Sequence, residues 1–206
     1  MPEAKRIQRR EATRREILDA AVKIASAEGW PGVTMRKVAD RVNYSHPALY
    51  AYFATKDDLL LALLREGLAL YARALEEAVA SAITPEAAVL AMADVLWEFP
   101  WQRPELYQVM HGLGGVAFAT RESREEGRAT ITPAVAVVAS LLAAHGRDPA
   151  DAERVCTLFW CTIHGLVTLT MAGRFTREEG AALAISAARE TLEAWTTAPA
   201  PHSDLS

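Results

Sequence analysis

From Ile17 to Trp195 the apolar residues of this chain return every three or four positions, and nowhere do they alternate in period two for long enough to build a strand. That spacing predicts an all-α fold of about nine helices. Ile17, Ala21, Ile24 and Ala25 make the first apolar stripe, and Gly29 should stop that helix, with Trp30-Pro31-Gly32 as a turn. Thr34 stands where it can cap a short second helix whose inward residues are Met35, Val38, Ala39 and Val42. Asn43, the non-glycine residue most at ease in a left-handed cap, marks its end. Ser45 then caps a third helix, with Pro47 in the first turn, where a missing N–H costs nothing. Two short helices, about 35–42 and 46–52, joined by three residues are spaced as a helix-turn-helix. Leu49 and Phe53 should face Val38, Val42 and Ile24, which leaves His46, Pro47, Ala48, Tyr50 and Tyr52 at or near the surface.

Charge singles out the same stretch. The 206 residues carry a net charge of −4, yet residues 1–56 hold eleven Lys and Arg against six acids, a local +5, and residues 57–206 come to −9. A basic head on an acidic body predicts a polyanion-binding module joined to a part with another task. The apolar runs, such as 131–142 with Thr132, Pro133 and Ser140 inside, look shorter than the ~20 residues of a bilayer crossing, and no membrane span is expected. The start, Met1-Pro2-Glu3-Ala4-Lys5-Arg6, runs into more charge rather than an apolar stretch, so no secretory signal is read and a cytoplasmic location is expected. Cys156 and Cys161 would point about 140° apart on a helix, too divergent to bridge or to join His164 around a metal, so both are expected as buried structural thiols. There is no phosphate-binding glycine loop, no His-x-x-x-His or Glu-x-x-His pair and no serine nucleophile elbow. The reading is a chain that is not an enzyme, with no cofactor and no metal.

The stretch Gly29-Trp30, then Val33-Thr34-Met35-Arg36-Lys37-Val38-Ala39-Asp40-Arg41-Val42, then Ser45, Ala48-Leu49-Tyr50-Ala51-Tyr52-Phe53 and Lys56-Asp57-Asp58-Leu59-Leu60 resembles the DNA-binding domain of the tetracycline-repressor (TetR) family of transcriptional regulators. The likeness covers about residues 11–62. Asn43 and Tyr44 stand where the family usually has glycine and a small aliphatic residue, and Pro47 is unusual in the recognition helix. The resemblance implies phosphate contacts from Thr34, Tyr50 and Lys56, with Thr55 and Asp58 as a capping pair ahead of the fourth helix. It implies base contacts from the helix that Ser45 caps, through His46, Pro47 and Ala48, with Tyr44 and Tyr52 flanking and Arg36 within reach of a guanine. The arm from Lys5 to Arg10 is expected to be mobile in the free protein and to lie along the duplex.

Helix-turn-helix proteins reach useful affinity by dimerising over a two-fold site. The expected division is therefore residues 1–56 for double-stranded DNA and residues 57–206 for a small-molecule effector and a homodimer. A long helix should run over 57–81, another from Pro85 to before Pro100, a short one from Pro104 to Met110, and others open at Pro133, Pro149 and the capping box of Thr176. Residues 121–128 read as an exposed charged loop, and Pro199 onward as a tail. Phe159-Trp160-Cys161-Thr162-Ile163-His164-Gly165-Leu166 resembles the Trp and His-Gly signature of one TetR C-terminal subgroup. The expected dimer face is Val155, Phe159, Thr162, Leu166 and Leu169 with Leu183, Ala187 and Leu192. The resemblance also implies an effector pocket, for which Trp97, Trp101, Tyr107, Met110, His111, Phe118, Trp160 and His164 suit a flat, mostly apolar ligand. The expected function is repression from a palindromic operator, relieved by that ligand; the alternative is a helical adaptor whose basic head binds polyanions without sequence preference.

Overall fold

The computed structural model describes residues 2–116 and 121–197. Among them there is no strand, and nine α-helices account for the chain. Helix α1 spans Pro2–Glu28, α2 Met35–Arg41, α3 His46–Tyr50, α4 Lys56–Ser81, α5 Pro85–Gln102, α6 Pro104–His111, α7 Arg121–Ala144, α8 Ala152–Met171 and α9 Arg177–Thr196. Phe118 and the tail from Pro199 lie outside the described residues.

The chain divides into two compact units, one of residues up to 69 with 103–127, the other of residues 70–102 with those from 128 on. Both α4 and α7 pass from one unit to the other. The packing does not divide at residue 56, because the first half of α4 and all of α6 fall in the same unit as α1 to α3.

In the first unit, Ile17, Ala21 and Ile24 of α1 are buried with Val38 of α2, Leu49 of α3 and Leu59 and Leu63 of α4. Gly29 adopts φ 74° at the end of α1, and Trp30, only 1% exposed, turns inward in the single 3₁₀ turn that follows. Helix α6 lies close to α4 at Gly67, where a Cβ would come within 2.7 Å of Met110 Sδ. In the second unit α5, α8 and α9 pack on one another through Val89, Trp97, Ile163, Val167, Ala184 and Ala188. Gly180 permits the closest approach: a Cβ there would stand 2.4 Å from Thr170 Oγ1 and 2.6 Å from Trp97 Cη2. Thr176 and Glu179 form the expected capping box of α9.

Several expectations fail for identifiable reasons. The basic arm is helical from Pro2, since proline is accepted in a first helical turn and nothing between it and Ile17 breaks the helix. Pro100 sits inside α5 rather than ending it; it falls in the last turn, where its missing N–H forfeits one bond, and it is buried beside Phe99. Residues 121–128 begin α7 instead of looping, and Pro133 lies within that helix. The charged segment has a tertiary partner that spacing does not reveal: Glu126 takes a bidentate ion pair from Arg65, with Nε and Nη2 at 3.0 and 2.8 Å from Oε1. Pro149 opens a 3₁₀ turn, and α8 starts only at Ala152. Cys156 and Cys161 are unbridged as expected, but Cys161 is exposed rather than buried. Residues 125–144 and 149–171 do reach bilayer-crossing length and apolarity, at mean hydropathy 1.5 and 1.2. Only 17% and 28% of those stretches are buried.

Candidate nucleic-acid interface

The turn between α2 and α3 is built by three caps. Thr34 Oγ1 accepts from Lys37 N at 3.2 Å and starts α2. Asn43 ends it at φ 56°, the one positive value at a non-glycine residue among those described. Tyr44 N donates to Ala39 O at 3.0 Å and Asn43 N to Asp40 O at 3.4 Å, the paired bonds of a Schellman cap. Ser45 Oγ then accepts from Ala48 N at 3.3 Å and opens α3. These bonds fix the angle at which α3 leaves α2, and the full burial of Leu49 and Phe53 fixes its rotation.

With Leu49 inward, His46, Pro47 and Tyr50 are exposed and Ala48 is half-buried. The His46 and Tyr50 rings meet edge to face at 5.0 Å, so the two present one surface. Arg36 and Thr34 are exposed at the head of α2. Lys56 is half-buried, and its Nζ donates to the Trp30 carbonyl at 3.1 Å, with two N–H groups left over. A capping pair joins Thr55 and Asp58 ahead of α4, with bonds of 2.9 and 3.0 Å. Tyr44 and Tyr52 are half-buried and edge to face at 6.4 Å, and the Tyr44 hydroxyl lies 3.3 Å from Oγ1 of the buried Thr13.

Three α1 residues that the sequence reading gave no role in holding this element touch it, although it placed Arg10 in the arm along the duplex. Besides Thr13, Arg10 Nη2 donates to Ala51 O at 3.4 Å and Arg14 Nη1 to Tyr52 O at 3.3 Å. The Arg14 guanidinium also lies over the Phe53 ring at 4.3 Å. Their spacing, i, i+3 and i+4 on one helix, was visible; the acceptors, about forty residues on, were not.

The expected effector residues are divided between the two units. Trp97, Trp101, Trp160 and His164 belong to the second unit, Tyr107, Met110 and His111 to the first. Three pairs of neighbours along one helix are in contact: Trp97 with Trp101 at 5.6 Å, Tyr107 with His111 at 4.4 Å, and Trp160 stacked on His164 at 4.9 Å. Burial raises the Tyr107 pKa and lowers that of His164. The indole nitrogens of Trp97 and Trp101 and Thr170 Oγ1 are enclosed without a hydrogen-bond partner among the described residues. Trp97 also lines a groove of about 320 Å³ between α5 and α9, with Leu90, Ala93 and Ala184. Asp94 on its wall has a raised pKa, from desolvation first and Glu98 second. Among the described residues no three His, Cys, Asp or Glu side chains gather as a metal site would need.

Of the expected dimer residues, Val155 and Phe159 turn into their own unit, where Phe159 meets Trp195 at 5.8 Å. Thr162, Leu169 and Leu183 are exposed, while Leu166, Ala187 and Leu192 are half-buried. Leu158, not foreseen, is 57% exposed beside them.

A capped helix-turn-helix followed by a larger helical body defines the class of the helical bacterial regulators. Residues 17–63 match the family described as bacterial regulatory proteins, tetR family, and residues 89–192 match the tetracyclin repressor-like C-terminal domain. The chain belongs to the TetR family. Its family is one of transcriptional regulators rather than enzymes. The transcriptional repressor NicS of Pseudomonas putida is 27% identical over 105 residues, which are 51% of this chain and 50% of NicS, so the match spans half of that relative's length. A protein of unknown function from Rhodococcus sp. RHA1 superposes with a TM-score of 0.77 at 26% identity, covering 89% of this chain and 95% of the other. The multidrug binding protein EbrR, solved with imidazole, superposes at 0.61 and 23% identity over 91% of this chain and 97% of the other.

Proposed function

We propose that this chain represses transcription as a homodimer in the cytoplasm, binding a palindromic operator and releasing it when a small, mostly apolar or aromatic effector binds. The observation that carries the reading is the outward set His46, Pro47 and Tyr50 on a helix whose start is fixed by the Asn43 and Ser45 caps and whose rotation is fixed by buried Leu49. In this reading Thr34, Tyr50 and Lys56 hold phosphates, and His46, Pro47, Ala48 and Arg36 read base edges in the major groove. Tyr44, Ser45 and Tyr52 support that surface, since each has partners within the domain. Residues 1–56 carry DNA binding and the remainder the effector and the dimer.

Two copies of one such domain on a two-fold site bring their recognition helices to successive major grooves, about 34 Å apart. The exposed apolar side chains Leu158, Leu169 and Leu183, with Thr162 and the half-buried Leu166, Ala187 and Leu192, are the face we assign to the second copy. For the effector, the enclosed indole of Trp97 beside the α5–α9 groove is the most favourable starting point. EbrR binds an aromatic heterocycle, as its complex with imidazole records. To empty an operator almost fully the effector must favour the released state by roughly 5.5 kcal/mol. Of the two helices that run through both units, α4 is the proposed lever.

Selection of bound fragments from random duplex DNA, followed by a salt titration, tests the reading. A dimer that neutralises ~6 to 10 phosphates should lose about three to five decades of affinity between about 50 and 200 mM salt while preferring one palindrome. Salt-sensitive binding with no preferred sequence would instead favour the polyanion-binding adaptor.

A further inference from the structure

We infer that Arg14 is a positioning residue for sequence recognition, which holds the C-terminal end of α3 from beneath without itself touching DNA; this rests on the reading of α3 as the recognition helix. Helix α3 has only five residues, so its last carbonyls are a large share of its backbone, and helix ends leave such groups without intrahelical partners. The carbonyls of Ala48 and Leu49 are taken by backbone N–H groups of residues 51–53. Just past that end, the carbonyls of the cap residue Ala51 and of Tyr52 receive arginines of α1, Arg10 at 3.4 Å and Arg14 at 3.3 Å.

The two arginines are not equivalent. Arg10 is exposed and its guanidinium lies 5.9 Å from the centre of the Tyr52 ring, a loose contact. Arg14 is half-buried, and its guanidinium covers the ring of the fully buried Phe53 at 4.3 Å while donating to the neighbouring carbonyl. A cation over a ring face and a directed N–H from the same group together suit arginine, whose fork is rigid, better than lysine. A cation at a helix C-terminus is also favoured by the helix dipole. The residue just before it on α1, Thr13, lies within hydrogen-bond distance of the Tyr44 hydroxyl, just ahead of the start of α3. The recognition helix is thus gripped before its start and after its end by one face of α1. One N–H and the face of the Arg14 guanidinium are engaged inside the domain, and orientation rather than a phosphate is the role this proposal gives its charge.

The test compares wild type, Arg14→Ala and Arg14→Lys on the selected operator and on a scrambled duplex of equal length, with salt slopes and melting temperatures for each protein. The expected result for Arg14→Ala is a loss of about tenfold in the ratio of operator to scrambled affinity, the size of one charged hydrogen bond, with the slope against log salt unchanged. Arg14→Lys keeps the charge and one donor and should recover part of the ratio, and it serves in place of Arg14→Ala should that variant not fold. Equal loss on both duplexes with a slope smaller by about 0.9 would make Arg14 a phosphate contact and overturn the proposal. Equal loss that follows the melting temperature, at constant ratio, would make it structural only and overturn it as well. If wild type itself shows no preference between the duplexes, the recognition-helix reading has failed, an outcome separate from either.

Discussion

Replacing Gly180 with alanine should destabilise the second unit although it places a better helix former in α9. The added Cβ would stand 2.4 Å from Thr170 Oγ1 and 2.6 Å from Trp97 Cη2, more than 1 Å inside ordinary contact. Neither neighbour can yield easily, since Thr170 is 8% exposed and Trp97 6%. Overpacking of this kind costs about 1–3 kcal/mol, and two enclosed neighbours put this case at the upper end. Against it stands about 1 kcal/mol gained on removing glycine from a helix. The net loss is about 2 kcal/mol, or a fall of roughly 4–8 °C in melting temperature for a chain of this size. Gly127→Ala is the internal standard. It also lies within a helix, and nothing stands within 4 Å of its added Cβ, so it should gain up to about 1 kcal/mol. Thermal unfolding followed by circular dichroism reads both. If Gly180→Ala melts as high as Gly127→Ala, then α9 does not approach Trp97 and Thr170 as described, and the packing of the second unit is wrong.

Other substitutions probe the turn, the proposed dimer face and the thiols. Asn43→Gly should be neutral or stabilising and Asn43→Val should cost about 1–2 kcal/mol, because the residue sits at φ 56°; urea titration measures both, and equal stability would remove the left-handed cap. Leu169→Glu combined with Leu183→Glu should turn a dimer into a monomer in sedimentation equilibrium at unchanged helicity, as both side chains are exposed on their own unit; an unchanged mass would place the interface elsewhere. At about pH 8, a thiol reagent should modify the exposed Cys161 quickly and Cys156 slowly, since burial pushes the Cys156 thiol up to about 11; equal rates would contradict that burial.

The helix-turn-helix was legible because each of its decisions is local. Thr34, Asn43 and Ser45 choose their conformations from bonds to residues within five positions, and Leu49 and Phe53 declare their face by spacing alone. What escaped depended on distant partners. The segment 121–128 is charged enough to read as a loop, and only Arg65 on α4 shows why Glu126 sits on a helix. Arg10 and Arg14 looked like part of a basic surface until their acceptors at Ala51 and Tyr52 were seen. Proline marks a helix boundary at Pro100 and Pro133 by a local rule, which fails where a helix is held by its burial or continues on both sides. The α8 stripe mixes two faces: Val155 and Phe159 point into their own unit while Thr162 and Leu169 do not. The aromatic set was legible as apolar and helical, but three of its contacts are merely i, i+4 pairs, which spacing cannot tell from a ligand pocket.

The most direct test of α3 as the reading element is protection of guanine N7, which lies in the major groove, on the selected duplex with and without protein. Two protected patches related by a dyad and centred about one helical turn, ~10 base pairs, apart are the predicted pattern, and Leu169→Glu with Leu183→Glu should weaken both together. A single patch, or binding that leaves every guanine N7 unprotected, would contradict the placement of His46 and Tyr50 against the bases.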